Sequence, residues 1–206
     1  MNAPKYTGER VIPESMNPRN GLLMEHIARY EFAAEFARGR VLDMGCGVGY
    51  GMEIILDLAD DGAIKEILGL DIDQDSIAYA RSMYGYQKAV FEMADARQEN
   101  LGRQYGLFDT IVCFEVIEHI LEEEALIRNL NQMLLPGGHL MISTPYGQGK
   151  GKPCSCPFHV HQYTEEEFLN LLSPYFNVTL YGQRDQCIEQ KRATEKYYLM
   201  IAVCTK

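Results

Sequence analysis

The chain has 206 residues, 47% hydrophobic and 23% charged, a composition that supports one domain with a sizeable core and excludes a disordered or fibrous chain. Its 29 acidic against 19 basic side chains leave a formal charge of -10, which disfavours a broad nucleic-acid surface because phosphate binding needs clustered Lys and Arg. Residues 1–20 mix prolines with charges and no apolar run reaches the roughly 20 residues that span a bilayer, so neither a signal core nor membrane insertion is expected.

In chain order, Leu23, Ile27, Tyr30, Ala34 and Ala37 recur at helical spacing, predicting a helix over 22–38 stopped by Gly39. "RVLDMG" reads as a buried strand and residues 50–59 as the helix after it. "EILGLDID" is a second strand, followed by a helix over 75–84 and a break at Gly85. "AVFEMADA" and "FDTIVCFEV" are the third and fourth strands; "LEEEALIRNLNQMLL" is a helix ending at Pro136, and "HLMIST" is the fifth strand. Residues 146–162, "YGQGKGKPCSCPFHVHQ", have glycines, prolines and no period, the mark of a long functional loop. Thr164 and Glu167 stand in capping-box spacing at the start of a helix over 164–173. "FNVTLYGQ" and "KYYLMIAVCTK" are then two strands joined by a polar loop, which predicts an antiparallel hairpin near the sheet edge.

Strands alternating with helices make a parallel sheet covered on both faces, with ligands outside the carboxyl ends of its strands. The six cysteines, at positions 46, 113, 154, 156, 187 and 204, are scattered, several within apolar runs. That pattern fits reduced thiols in a cytoplasmic protein rather than a disulfide framework.

"VLDMGCGVGYG" joins a strand, a glycine-rich turn and a helix, which together cradle a nucleotide against free helix N–H groups. Gly45, Gly47 and Gly49 are spaced G-x-G-x-G, with Asp43 just before them. A carboxylate there repels a pyrophosphate and suits an amine-bearing ligand. With these residues the chain resembles the class I S-adenosylmethionine-dependent methyltransferases. "GLDID" is similar to their second-strand motif, "MADA" to the third, and "FDTIVCFEVIEHI" and "LLPGGHLMIST" to the fourth and fifth. The resemblance implies a Rossmann-like, doubly wound α/β fold of seven strands, mostly parallel, with an antiparallel C-terminal strand. It runs from about residue 22 onward and makes residues 1–206 a single domain, with 1–20 as an arm or lid and 146–162 as a loop over the site.

The resemblance implies S-adenosylmethionine as co-substrate. Asp71 would hold the ribose hydroxyls, Ile72 would lie against adenine, Asp95 and the Ala96 N–H would meet the adenine edge, and Glu115 would line the methionine end. "YTGERVIPE", "EHIARYEFA" and "PFHVHQYTEEEF" resemble methyltransferases that accompany glycosyltransferases in polysaccharide pathways, implying a sugar acceptor, as nucleotide sugar or glycan. A small natural product, an amine acceptor or a non-catalytic cofactor-binding module are the rival readings. A nucleotide-dependent oxidoreductase is disfavoured by Asp43 and the motif order, and the Tyr84-x-x-x-Lys88 spacing falls in the wrong place to serve one.

A sugar hydroxyl must lose its proton as the methyl bond forms, so a base is expected within reach. Of five histidines, His139 belongs to the far end of the sheet. His119 follows the fourth strand, and His159 and His161 occupy the long loop; these three are the candidates. An alternative for "FHVHQYT" is an extended segment with Phe158 and Val160 buried and both imidazoles in water. Arg10 and Tyr146 are candidate acceptor contacts, and His26 and Arg29 share a helix face that either looks into the site or meets solvent. Cys154, Cys156, His159 and His161 have the residue types of a zinc site, but their Cys-x-Cys and His-x-His spacings are tight, and no metal is predicted. Carboxylates brought together from separate strand ends remain an open route to a cation site.

Overall fold

The computed structural model describes residue 4 and residues 8–85, 88–154 and 156–206. Tyr6 and Thr7 of the expected arm, and Ser155 of the long loop, lie outside the described residues.

The elements run α1 (Gly21–Ala34), β1 (Gly39–Met44), α2 (Tyr50–Leu58), β2 (Ile64–Asp71), α3 (Gln74–Tyr84), β3 (Ala89–Met93), α4 (Leu101–Tyr105) and β4 (Phe108–Phe114). They continue with α5 (Glu123–Met133), β5 (Leu134–Pro145), α6 (Glu165–Leu172), β6 (Asn177–Arg184), β7 (Cys187–Gln190) and β8 (Leu199–Thr205). One sheet takes the order β3-β2-β1-β4-β5-β8-β6-β7. β1 to β5 pair in parallel, while β8 lies antiparallel to both β5 and β6. The strand order reverses between β1 and β4, which opens a crevice at their carboxyl ends.

The strands read as continuous apolar runs because both faces are covered. Val41, Ile67, Val112, Met141 and Ile201 pack with Tyr30, Ile55 and Ile77 of α1 to α3. Leu42, Leu70, Ile111, Ile142 and Met200 pack with residues of α4 to α6, among them Leu130 and Phe168.

The structure departs from the sequence reading in four places. The sheet has eight strands rather than seven, because β7 pairs with the outer edge of β6 from within the expected polar loop. The five-residue helix α4 was not predicted either. α1 ends at Ala34, and Gly39 opens β1 instead of capping the helix. A Cβ on Gly39 would lie 2.0 Å from Asp109 Oδ2, so the approach of β4 is what requires glycine there. β5 begins at Leu134, but its ladder with β4 is irregular until His139, as the run Pro136-Gly137-Gly138 dictates.

The predicted capping box is present, and the cap that starts α1 was not foreseen. Thr164 and Glu167 form the full capping box of α6, and Asn20 accepts the Leu23 N–H to start α1. Tyr84 and Lys88 are structural: the tyrosine donates to Glu14 and the Lys88 ammonium to the Ile64 carbonyl. Among the described residues no helix is long and apolar enough to cross a membrane.

Candidate functional site

The crevice is floored by the glycine turn between β1 and α2. Gly45, Gly47 and Gly49 all have positive φ, at 84°, 53° and 91°. Two of them answer to packing: a Cβ on Gly45 would lie 2.3 Å from Val116 Cγ2, and one on Gly49 2.6 Å from Phe91. Gly49 caps α2 and lies on the wall of neither cavity described below, so its expected contact with a ligand is not seen. Gly47 differs, since a Cβ there would meet open space while its N–H donates to Asp71 Oδ2 at 2.8 Å.

Two cavities meet over this turn. A slot of about 360 Å³ is bounded by Leu70, Ile72, Ala94, Ala96, Val116 and Ile120, with Asp71, Asp95 and Arg97 at its rim. Ile72 is 63% exposed beside it, an uncovered apolar side chain at the mouth of an apolar slot. A larger chamber of about 410 Å³ has apolar walls that include Val11, Leu22 and Phe114, with Glu9, His26, Glu115, Glu118, His119 and His159 among them. The two share Gly45, Asp71, Glu115 and His119.

The carboxylates divide by environment. Asp71 Oδ1 accepts the Asp73 N–H and Oδ2 the Gly47 N–H, both at 2.8 Å, so each oxygen keeps a lone pair for a ligand. Burial raises its pKa overall, against those two bonds. Asp95 is clamped by Arg97 at 2.6 Å, and this bonding holds its pKa below the usual value. Glu115 has φ +54, rare for a residue with a side chain. Ser143 holds it in place, accepting its N–H at 3.2 Å and donating its hydroxyl to Oε1 at 2.9 Å.

Asp43 lies beneath the turn, fully buried, and on neither cavity wall. The expected direct meeting with a ligand amine is therefore not seen. Tyr30 OH donates to its Oδ2 at 3.2 Å and its Oδ1 has no partner. Burial pushes its pKa up to about 7, opposed by the Tyr30 bond.

Glu118 went almost unnoticed in the sequence. It is 1% exposed, reaches the chamber wall, and neither carboxyl oxygen has a hydrogen-bond partner. Burial, with the nearby Glu115 charge, raises its pKa well above the usual range. An acid two residues beyond an apolar strand, followed at once by histidine, was the available signal.

The histidines separate. His119 and His159 face the chamber, ring centroids 5.0 Å apart and edge-on. His161 does not: its Nε2 lies 3.0 Å from Glu123 Oε2, away from both cavities. The buried-or-solvated alternative inverts too. Phe158 and Val160 are 48% and 44% exposed, while the His159 and His161 side chains are only 14% and 16% exposed because carboxylates hold them inward. The loop is anchored where Val160 and His161 N–H groups donate to the Glu118 carbonyl.

Arg10 lines the chamber but forms an ion pair with Asp73 at 2.9 Å, so its charge is already answered by a carboxylate of this chain. Tyr146 donates to Glu165 at 3.3 Å and lies on neither cavity wall. His26 does look into the chamber and shares a 3.1 Å hydrogen bond with Tyr50 OH. Burial, then the Arg29 charge, holds its pKa well below the ordinary histidine value, so the ring is neutral. Arg29 is 1% exposed, neither solvated nor in the chamber, with Nη1 2.7 Å from Gln183 Oε1. Cys154 and His161 fall outside both groups of metal-capable side chains, so the four-residue zinc arrangement is not assembled.

Known proteins share this architecture. A family profile described as "Methyltransferase domain" matches residues 18–177. A probable S-adenosylmethionine-dependent methyltransferase of Mycolicibacterium smegmatis is 32% identical over 179 residues, covering 83% of this chain and 64% of the relative. A ubiquinone biosynthesis O-methyltransferase of Xanthomonas oryzae is 33% identical over 114 residues, covering 53% of this chain and 44% of the relative. The chain thus spans less than two thirds of either relative. The solved structure of the N-methyltransferase NodS from Bradyrhizobium japonicum with S-adenosyl-L-homocysteine superposes with a TM-score of 0.63 at 20% identity, covering 92% of this chain and 88% of that one. With the glycine turn and strand order already described, the span of the family match places this chain among the class I S-adenosylmethionine-dependent methyltransferases.

Proposed function

We propose that the chain moves the methyl group of S-adenosylmethionine onto a hydroxyl of a sugar, within a glycan or a nucleotide sugar. The observation that carries this reading is the junction of the two cavities at Gly45, Asp71, Glu115 and His119. The residues fit the co-substrate: an apolar slot for the adenine, lone pairs on Asp71 for the ribose, and open space above Gly47. When bound, it supplies a methyl group already activated on a sulfonium.

In this reading Ile72 lies against the adenine face, and Asp95 and the Ala96 N–H meet its edge. Gly45 and Gly47 give the backbone its close approach. Asp43 acts from beneath the turn, and Glu115 faces the amino end of the methionine moiety. The chamber holds the acceptor near 3 Å from the methyl carbon, as an in-line displacement requires. Activation of the hydroxyl falls to the His119 and His159 face. The three carboxylates Glu9, Glu115 and Glu118, with Arg10 already paired, favour a neutral sugar over one carrying a diphosphate. The named O-methyltransferase relative supports an oxygen acceptor.

The test is calorimetric binding of S-adenosylhomocysteine, followed by methyl-transfer assays on neutral oligosaccharides and nucleotide sugars. A ligand confined to the folded state adds about 2.7 kcal/mol at a hundredfold excess over its Kd, so a thermal shift must accompany binding. Binding with transfer to a sugar is the expected result. No binding overturns the cofactor assignment, and transfer only to amines overturns the acceptor.

A further inference from the structure

Two groups of side chains in the described structure bring metal-capable atoms within 4.8 Å of one another: Glu9 with Cys156 and His159, and Glu118 with His119 and His159. The first is satisfied by its own contacts, since the Cys156 thiol donates to Glu9 Oε1 at 2.6 Å and His159 Nε2 stands 3.1 Å from the same oxygen. The second is not. Glu118 is 1% exposed, reaches the chamber, and neither carboxyl oxygen has a well-formed hydrogen bond, the Thr144 hydroxyl being, among the described residues, its one side-chain neighbour able to donate. A buried acid left in that state is costly unless a proton or a cation answers it.

Each ring of the second group also has one nitrogen in contact with an oxygen of the chain. His119 Nδ1 is 3.0 Å from the Phe158 carbonyl, and His159 Nε2 faces Glu9. A histidine whose one nitrogen donates to a carbonyl or carboxylate has its tautomer set and the other nitrogen left basic, the usual support for a metal ligand. We propose that Glu118, His119 and His159 form a three-ligand site for a divalent first-row transition cation, zinc above all, open to the acceptor chamber.

Two imidazoles and one carboxylate suit zinc or manganese better than the all-oxygen preference of magnesium and calcium. Three protein ligands leave a fourth position, here toward the chamber, for a water or an acceptor oxygen. Methyl transfer from a sulfonium needs no metal of itself. The cation acts on the other partner, lowering the pKa of the acceptor hydroxyl. That hydroxyl releases its proton to solvent and its oxygen bonds to the methyl carbon. The electron pair of the broken carbon–sulfur bond returns to sulfur, and the cation ends unchanged. This role rests on the sugar-hydroxyl reading above, whereas the binding site stands on its own residues.

The experiment takes the chelator-stripped full chain and measures zinc binding by calorimetry and elemental analysis, and manganese by electron paramagnetic resonance. S-Adenosylhomocysteine affinity is measured on the same samples. A stoichiometric ion is expected, with affinity falling by at least about tenfold in Glu118→Gln and in His119→Ala, while S-adenosylhomocysteine affinity holds in Glu118→Gln, whose side chain is not on the adenine slot. Cys156→Ser should leave zinc binding intact. Should Glu118→Gln fail to fold, His119→Ala, altering an exposed ring, decides the matter. No stoichiometric zinc, or zinc lost in Cys156→Ser and kept in His119→Ala, overturns the site. Failure of the wild type to bind S-adenosylhomocysteine would strike the methyltransferase reading and leave the metal result standing.

Discussion

Replacing Asp43 by asparagine separates the charge of the carboxyl from its shape. In the folded chain burial raises the pKa from 3.8 to about 7, while the unfolded chain keeps the ordinary value. Between those two values the native state binds a proton that the unfolded state has released, so stability falls as pH rises through the window. A difference of about 3 units at 1.36 kcal/mol each amounts to roughly 4 kcal/mol, lost in full above about pH 7. Asp43→Asn keeps an acceptor for Tyr30 OH and cannot ionise, so it escapes that loss. The assay is a thermal melt of both proteins from about pH 5 to about pH 8, and the readout is how their difference changes, since other titrating groups cancel. Above about pH 5 roughly 2 of those units remain, about 3 kcal/mol, so for a chain of this size the melting difference should move in favour of the variant by roughly 8 °C over the assayed range. A difference constant with pH would refute the reasoning and show that the carboxylate is stabilised as an anion.

Gly49→Ala should destabilise by several kcal/mol in denaturant titrations, on the order of an overpacked core substitution, because its Cβ would strike Phe91 and Ala80 at positive φ. Gly47→Ala should instead cost about 1 kcal/mol of backbone strain and show its larger effect in calorimetric S-adenosylhomocysteine affinity. Equal stability losses in the two would contradict the division between packing and access. Asp71→Ala should weaken S-adenosylhomocysteine by at least about tenfold, the equivalent of one lost charge-assisted hydrogen bond; unchanged affinity would place the ribose elsewhere. Gln183→Leu removes the acceptor for the buried Arg29 and should cost roughly 2–3 kcal/mol by chemical denaturation, whereas a surface-like change below about 0.5 kcal/mol would mean that Arg29 finds another partner.

The parts of this fold legible in the sequence are those written in local chemistry. Gly45, Gly47 and Gly49 occupy positive φ, which only glycine adopts cheaply, and the Thr164–Glu167 box closes within one helical turn. What was hidden depends on distant partners. β7 exists because β6 has an edge to offer it, and its own four residues carry little strand signal. Alternation in "FHVHQ" identified two faces but not which turns inward; Glu9 and Glu123 decide that, and both are remote in sequence. Asp43 and Tyr146 matched a site by position, yet the first is buried beneath the turn and the second is tied to Glu165. Glu118 was visible as a letter and invisible as a problem, because only the tertiary structure reveals a buried acid without partners.

The placement of β8 carries a consequence for assembly. It lies between β5 and β6, so β6 and β7 attach to the rest of the sheet only through a strand that follows them in the chain. As the polypeptide lengthens during synthesis, β5 first presents an unpaired edge along "HLMIST", and the β6–β7 hairpin has nothing to join. An open apolar edge recruits other chains. Until residues 199–205 arrive, that edge stays unpaired, and a lesion in β8 that spared every residue of the crevice would still detach two strands from the sheet.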